Sequence, residues 1–153
     1  MSISADQITI AVSVYVPRHY LVQAVERALN QTVPVKVMVV EDCGPDAGLR
    51  EFVRAQFGER VGYHRNAQRR GLFDTWNACV ELCPTHRLSI LHDDVFLETD
   101  FIAIMLKLAG CHPGLGLYFG RALEVDEHGR LLRRPAPQVN LRHGADRFGG
   151  DGL

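Results

Sequence analysis

Two pairs of adjacent acids each follow a run of apolar residues in this sequence. The pair Glu41-Asp42 follows the run 35–40, and the pair Asp93-Asp94 follows the run 88–91 after one intervening residue. Apolar runs of this length are typical of strands that are buried on both faces of a parallel sheet. Because the carboxyl ends of such strands meet at one edge of the sheet, we expect all four carboxylates to lie there.

Four carboxylates at one edge point to a definite kind of chemistry. Crowded carboxylates repel one another, and a site that keeps them generally holds a cation or a hydrogen-bonding ligand. Mg²⁺ and Mn²⁺ prefer oxygen ligands, and Mg²⁺ often takes one or two carboxylates together with phosphates of a substrate. A metal that bridges a diphosphate neutralises charge on the leaving group. The alternative, which stays open, is that these acids cap helices or face water.

The elements that must position these acids alternate along the chain. β-Branched and apolar runs predict five strands, at 8–14, 35–40, 61–64, 88–91 and 115–119. Apolar residues at helical spacing predict four helices, at 21–29, 49–57, 72–83 and 101–109. Asp46 is the expected N-cap of the second helix, and Thr99 or Asp100 that of the fourth. A hairpin turn is predicted at 126–129. This order predicts an α/β fold with a mostly parallel βαβ sheet and helices on both faces.

Length and composition limit the classes of protein to consider. The chain has 153 residues, of which 46% are apolar and 23% charged, as expected for one globular domain. A net charge of −1 argues against broad nucleic-acid binding. No apolar run reaches the roughly 20 residues that span a bilayer, and no signal peptide is visible. We therefore expect a cytoplasmic protein, with peripheral membrane association left open, and no zinc site of C-x-x-C type.

The segment 8–102 resembles the N-terminal, nucleotide-binding half of the family 2 glycosyltransferases, which have the GT-A fold. Four motifs in chain order carry the resemblance: Val12-Ser13-Val14-Tyr15 with Asn30-Gln31-Thr32, Val39-Val40-Glu41-Asp42, Asn66 with Gly71-Leu72 and Trp76-Asn77, and His92-Asp93-Asp94. Each motif is weak alone, and their order and spacing together are more specific. The resemblance implies an inverting glycosyltransferase with a nucleotide-diphosphate sugar donor and Mg²⁺ or Mn²⁺.

The resemblance also implies roles, position by position. Contacts to the donor would come from Ser13, Val14, Tyr15, Glu41, Asp42, Asn66, Gly71 and Asp93. Glu41 and Asp42 would accept hydrogen bonds from the base or the ribose, and Tyr15 would offer a ring face. Asp94 would hold the metal, with His92 as a second candidate ligand. Arg65, Arg69 or Arg70 would meet phosphate, with solvent-exposed charge as the alternative.

Three positions depart from the family pattern. His92 stands where the first Asp of the Asp-x-Asp motif usually stands, and imidazole suits Zn²⁺ and softer ions better than Mg²⁺. Asp94 is therefore the main metal candidate. Glu41 replaces the usual Asp of its motif, and Ser13 replaces the usual Pro.

Members of the family are longer than this chain, and their second half supplies the acceptor site and a carboxylate base. We expect residues 1–134 to form a GT-A-like, apparently truncated nucleotide-sugar-binding domain, and residues 135–153 to form an irregular tail. No catalytic base is predicted in the chain, and we expect one beyond Leu153. The acceptor, whether glycan, lipid or protein, and a homo-oligomeric state stay open.

Two other functions are considered. A non-catalytic nucleotide-sugar-binding or interaction module would explain the missing base and the presence of His92. A signalling receiver domain also holds Mg²⁺ with acids at strand ends, but it needs acids after the first strand and a Lys after the fifth. Here Ser13-Val14-Tyr15 ends the first strand and Gly120-Arg121 follows the fifth, which disfavours a receiver domain.

Overall fold

A computed structural model of the chain describes residues 8–16, 19–45, 47–126, 128 and 130–132. These residues belong to two units, 1–119 and 120–153. The first unit alternates strands and helices, and so confirms the predicted α/β class. Its elements are β1 Ile8–Val14, α1 Tyr20–Leu29, β2 Lys36–Glu41, α2 Leu49–Phe57, β3 Val61–Arg65, α3 Leu72–Glu81, β4 Arg87–His92 and α4 Phe101–Cys111.

The four strands form one parallel sheet with the order β3-β2-β1-β4. From β1, the chain builds the sheet outward through β2 and β3, and then returns to place β4 on the other side of β1. The carboxyl ends of β1 and β4 therefore flank the point where the strand order reverses. In open α/β sheets, ligands bind at this switch point.

Alternate residues of each strand pack on opposite faces of the sheet. The even-numbered residues of β1, from Ile8 to Val14, join a core cluster with buried residues of α1, α2 and α4. Ala11 joins Met38 and Val40 in a second cluster with Ala78 and Cys79 of α3. The prediction of helices on both faces is therefore confirmed.

The ends of the helices follow the predicted pattern with two differences. α4 begins after Asp100, but this residue makes no side-chain capping bond, and Gln31 Oε1 accepts the Ile102 N–H instead. α2 begins after Gly48, and the predicted cap Asp46 lies outside the described residues. α4 has 11 residues and is about 17 Å long. Among the described residues, no helix is long and apolar enough to cross a membrane.

The prediction of a fifth strand at 115–119 is wrong for the described structure. This segment has no strand assignment, and the side chains of Leu117 and Phe119 are each 76% exposed. A strand requires a hydrogen-bonded neighbour, which the local sequence cannot guarantee, and Gly116 weakens the extended conformation. In the described part of the chain, β4 is therefore an edge strand.

The second unit contains the predicted hairpin turn in a minimal form. Val125 and Leu131 form a single antiparallel bridge. The Asp126 carboxylate accepts hydrogen bonds from the backbone N–H of Arg130 at 2.8 Å and from its side chain at 2.7 Å, which closes the turn. The predicted boundary at residue 134 and the predicted tail 135–153 lie outside the described residues.

Candidate functional site

A cleft of about 510 Å³ opens at the carboxyl ends of β1 and β4. Its lining consists of Ser13, Val14, Tyr15, Val16, Asp42, Arg69, Gly71, Leu72, Thr75, His92, Asp93 and Asp94. The volume lies in the range of about 300–1,000 Å³ that is usual for small-molecule sites. Eight of the ten site residues predicted from the sequence are in this lining, and Glu41 and Asn66 are the two that are not.

The wall after β1 combines a buried link to β4 with an exposed aromatic ring. Ser13 Oγ donates a hydrogen bond to the Leu91 carbonyl oxygen at 3.0 Å, which fixes β1 against β4. Val14 is buried, whereas Tyr15 is partly exposed. The guanidinium carbon of Arg69 lies 4.2 Å from the centroid of the Tyr15 ring, a cation–π distance. This wall therefore presents an aromatic ring with a positive charge over one of its faces.

The carboxylate of Asp42 organises the loop before α3. It accepts hydrogen bonds from the backbone N–H groups of Arg70 at 2.7 Å and Gly71 at 2.8 Å, and from the Asn66 amide at 3.0 Å. Burial raises the pKa of Asp42, but the hydrogen bonds from Arg70, Asn66, Gly71 and Thr75 together lower that pKa below 3.8. Asp42 therefore stays ionised and holds the loop that carries Arg69.

Asn66 is buried beside Asp42 and completes the same network. Its amide nitrogen also donates to Thr75 Oγ1 at 3.3 Å. Within the described residues, Asn66 Oδ1 and Trp76 Nε1 are buried side-chain atoms without a hydrogen-bond partner. Such atoms are uncommon in folded proteins, and here both belong to residues next to the cleft lining.

Glu41 lies behind the cleft and is paired within the protein. Its side chain is 1% exposed, and its two oxygens accept hydrogen bonds from the Tyr63 hydroxyl and the Arg65 guanidinium. Arg65 is the direct neighbour of Glu41 in the β2–β3 register. Burial, and then the hydrogen bond to Glu41, raise the pKa of Tyr63 well above its ordinary value of 10. Tyr63 was not predicted from the sequence, although its two-residue spacing from Arg65 on one strand places both side chains on one face.

The end of β4 places three titratable residues in the lining of the cleft. Asp93 is partly buried and Asp94 is exposed. His92 lies against α3, because its ring centroid is 5.4 Å from that of Trp76 with the planes tilted by 47°. Leu88 and Ile90, at alternate positions of the same strand, pack on this face as well. The imidazole therefore leaves the strand on the side of α3.

Comparison with known proteins identifies the family. Residues 9–143 match the family model described as glycosyl transferase family 2. The chain belongs to this family. The match covers most of the chain, including the cleft and both acid pairs, and it confirms the resemblance seen in the sequence motifs.

Comparison of this family 2 chain with individual proteins gives matches of the same kind. It is 28% identical over 127 residues to a chondroitin synthase from Escherichia coli, an alignment that covers 79% of this chain and 18% of that protein. Residues 1–349 of S. aureus TarS in complex with UDP-GlcNAc superpose with a TM-score of 0.61 at 14% identity, covering 70% of this chain and 32% of that chain. The mannosyltransferase PcManGT from Pyrobaculum calidifontis, in complex with GDP-Man and Mn²⁺, gives 0.60 at 19% identity, covering 67% and 32%.

These structural likenesses show that the fold is GT-A. The chain spans about a fifth of the curated relative and about a third of the two solved chains.

Asp93 and Asp94 suit Mg²⁺ or Mn²⁺ by their chemistry, because they offer hard oxygen atoms in a cleft that is open to a ligand. Within the described residues, no three His, Cys, Asp or Glu side chains are grouped so that they could hold a metal ion. Mg²⁺ commonly takes only one or two carboxylates and completes its shell with water and substrate phosphates. The residues present therefore fit a metal that arrives together with a diphosphate.

Proposed function

We propose that this chain binds a nucleotide-diphosphate sugar, together with Mg²⁺ or Mn²⁺, as the donor for glycosyl transfer. The observation that carries the proposal is the presence of Tyr15, Arg69, Asp93 and Asp94 in one cleft at the switch point of the sheet. An aromatic ring suits a base, a guanidinium suits phosphate, and carboxylates suit the metal that accompanies a diphosphate.

The proposed arrangement runs across the cleft from β1 to β4. The base lies against the Tyr15 ring, and the ribose lies by Ser13 and Val14. Arg69 faces the diphosphate, and Asp94 holds the metal, with Asp93 near the ribose or the sugar. When bound, the metal would neutralise charge on the departing diphosphate. The ligands in the solved relatives, UDP-GlcNAc and GDP-Man, support a donor of this class.

The proposed reaction is transfer with inversion at the anomeric carbon. The oxygen of an acceptor hydroxyl forms a bond to that carbon while the bond from carbon to the diphosphate oxygen breaks. The nucleoside diphosphate leaves with the electron pair, and a carboxylate base takes the hydroxyl proton. We assign no residue of this chain to the base, since Asp42 is engaged by the loop before α3 and we assign Asp93 and Asp94 to the donor and the metal.

The proposal includes a cytoplasmic location. The four cysteines, Cys43, Cys79, Cys83 and Cys111, are free thiols in the described structure. Free thiols persist in reducing compartments, whereas secreted proteins more often pair them.

Isothermal titration calorimetry tests donor binding directly. UDP- and GDP-sugars are titrated into the protein with Mn²⁺ and again with a chelator. We expect metal-dependent binding of at least one donor, and a much weaker response to the metal in Asp94→Asn. Glu81→Gln is the matched control, because Glu81 is an exposed acid at the far end of α3, about 15 Å of helix away from Gly71. Absence of metal-dependent binding to every donor would overturn the proposal.

A second candidate is a module that binds the donor without transferring the sugar. The contact between His92 and Trp76 favours this module. The contact directs the His92 imidazole, which stands at the first position of the metal motif, toward α3. Chromatographic detection of released nucleoside diphosphate separates the two. Release above the buffer rate supports a transferase, and tight donor binding without release supports the module.

A further inference from the structure

A partly buried hydrogen-bonded group, centred on the buried Glu41 carboxylate, joins the carboxyl ends of β2 and β3, and we name it the Glu41 brace. Its members are Glu41, Gly44, Tyr63 and Arg65. The two carboxylate oxygens of Glu41 accept hydrogen bonds from Tyr63 and from Nη1 of Arg65. The other terminal nitrogen of Arg65, Nη2, donates to the Gly44 carbonyl oxygen at 2.7 Å. Arg65 therefore ties the buried carboxylate to the turn that follows β2.

This turn rests directly on the backbone of Tyr15. A methyl group added at Gly44 would lie 1.9 Å from the Tyr15 carbonyl oxygen and 3.2 Å from Glu41 Oε1, so only glycine fits there. The N–H of Asp42 also donates to the Val14 carbonyl oxygen at 2.8 Å. The main chain at Tyr15, which lines the cleft, is therefore supported by a turn that the brace holds in place.

The length of the Glu41 side chain explains why it faces the brace. Glu41 lies opposite Arg65 in the parallel register, and Tyr63 precedes Arg65 by two residues on the same face of β3. The carboxylate must therefore reach sideways to the neighbouring strand to meet both groups. An Asp at this position is one methylene shorter and would lose this reach.

We infer that the Glu41 brace positions the nucleotide end of the cleft by fixing the Tyr15 backbone, without touching the ligand itself. This inference rests on the proposed function, because it takes the Tyr15 ring as the surface that meets the base. It assigns Glu41 as a positioning residue, in place of the direct contact to base or ribose that the family resemblance implies.

The position of the Glu41 brace predicts which part of the ligand would be bound more weakly if the brace were disrupted. The brace lies at the ends of β2 and β3, whereas Asp93 and Asp94 follow β4 on the other side of β1. Weakening the brace should therefore weaken binding of ligands that carry a base. Binding of inorganic pyrophosphate with Mg²⁺ uses the β4 side and Arg69, whose loop is anchored by Asp42 outside the brace, and should therefore change much less.

The experiment measures Kd values of UDP, GDP and pyrophosphate, each with Mg²⁺, for the wild type, Tyr63→Phe, Glu41→Asp and Gly44→Ala. We expect the preferred nucleotide to bind about tenfold more weakly to all three variants. Tyr63→Phe and Glu41→Asp weaken the hydrogen bonds of the brace, and Gly44→Ala places a methyl group against the Tyr15 carbonyl oxygen. Pyrophosphate should change less than about twofold on the same scale. Gly116→Ala is the matched control for Gly44→Ala, because no atom lies within 4 Å of a methyl group added there.

A spectroscopic readout without ligand accompanies the titrations. The chain has four tyrosines, and selective isotope labelling allows the Tyr15 ring resonances to be followed by NMR. We expect them to shift in Glu41→Asp and in Tyr63→Phe, and to stay in place in Gly116→Ala. The Tyr63→Phe variant keeps the ring and every buried carbon, so it retains the test if Gly44→Ala does not fold.

The outcomes separate this inference from the proposed function. If the wild type binds neither nucleotide, the proposed function fails and the inference falls with it. If the wild type binds a nucleotide and Tyr63→Phe and Gly44→Ala bind it equally well, only the inference is overturned. Full affinity in Glu41→Asp combined with loss in Glu41→Gln would show that Glu41 contacts the nucleotide directly, and would also overturn it.

Discussion

The acids after β2 and the acids after β4 look alike in the sequence, yet the folded chain uses them differently. Glu41 and Asp42 are 1% and 5% exposed, and protein groups donate hydrogen bonds to both carboxylates. Asp42 also borders the cleft, but Asp93 and Asp94 line it with more exposed side chains. β2 lies between two strands, so donors from β3 and the following loop reach its acids, whereas β4 lies beside the switch point. An acid pair at the end of an apolar strand thus indicates a location at the edge of the sheet. The position of that strand within the sheet determines whether protein groups or the cleft surround the acids.

The largest expected effect is on stability, and it separates the two pairs. Glu41→Ala should lower the free energy of unfolding by about 2 kcal/mol, because it leaves the partly buried donors of Tyr63 and Arg65 without this acceptor and creates a cavity. Asp94→Ala should change it by less than about 0.5 kcal/mol, as expected for an exposed side chain. Urea denaturation at neutral pH measures both. Equal losses in the two variants would contradict the comparison.

The next effect is on ligand binding, where the larger loss is expected at the pair after β4. Asp94→Asn should weaken donor binding in Mg²⁺ by about 30-fold, or about 2 kcal/mol, because a neutral amide is a poor ligand for a hard cation. The same variant should bind the nucleotide like the wild type when a chelator is present. Calorimetry with and without the metal tests this, and an equal loss in both conditions would show that Asp94 does not act through a metal.

A smaller effect concerns the pH dependence of stability at Asp42. Its pKa in the folded chain lies below 3.8, so its contribution to stability is fully present above pH 3.8. That contribution is lost as the pH falls through the folded pKa, where the carboxylate takes up a proton. Urea midpoints between about pH 6 and about pH 3 should fall less steeply in Asp42→Asn than in the wild type. An equally steep fall in Asp42→Asn and in the wild type would contradict this prediction.

The fold was predictable from the sequence wherever the signal was local. The apolar run 88–91 became β4 Arg87–His92, and the helical spacing around Leu21 became α1 Tyr20–Leu29. The run 115–119 has the same local character as the others, but it is not a strand in the described structure. A run of apolar residues indicates that both faces of a strand would be buried. It does not indicate whether a neighbouring strand is available to form hydrogen bonds at the edge of that strand.

The candidate site was likewise predictable only where the signal in the sequence was local. The rule that ligands bind at strand ends located Asp93 and Asp94 in the cleft. The burial of Glu41 depends on its pairing with Arg65 across β2 and β3, and 24 positions separate these residues in the chain. Register between strands is set by the whole sheet, so no motif around position 41 could reveal it.

The smallest expected effect tests how the β4 acids are held. The loop that carries them ends at a contact with the far end of α1, where the Gln31 amide donates to the Arg27 and Glu98 carbonyl oxygens at 3.1 and 2.9 Å. Gln31 Oε1 accepts the Ile102 N–H at 3.0 Å. These bonds lie at the surface, so Gln31→Ala should cost about 1 kcal/mol of stability, measured by urea denaturation.

The same variant should weaken metal-dependent donor binding by about two- to threefold, far less than Asp94→Asn, because Leu97 still anchors the loop in the core. Gln31→Glu is the matched variant, since it keeps an acceptor for the Ile102 N–H and loses the two donated bonds. A loss in Gln31→Ala as large as that in Asp94→Asn would mean that the β4 acids, like the β2 acids, are held in place chiefly by partners distant in sequence. The contrast between the two pairs would then lie in their exposure alone.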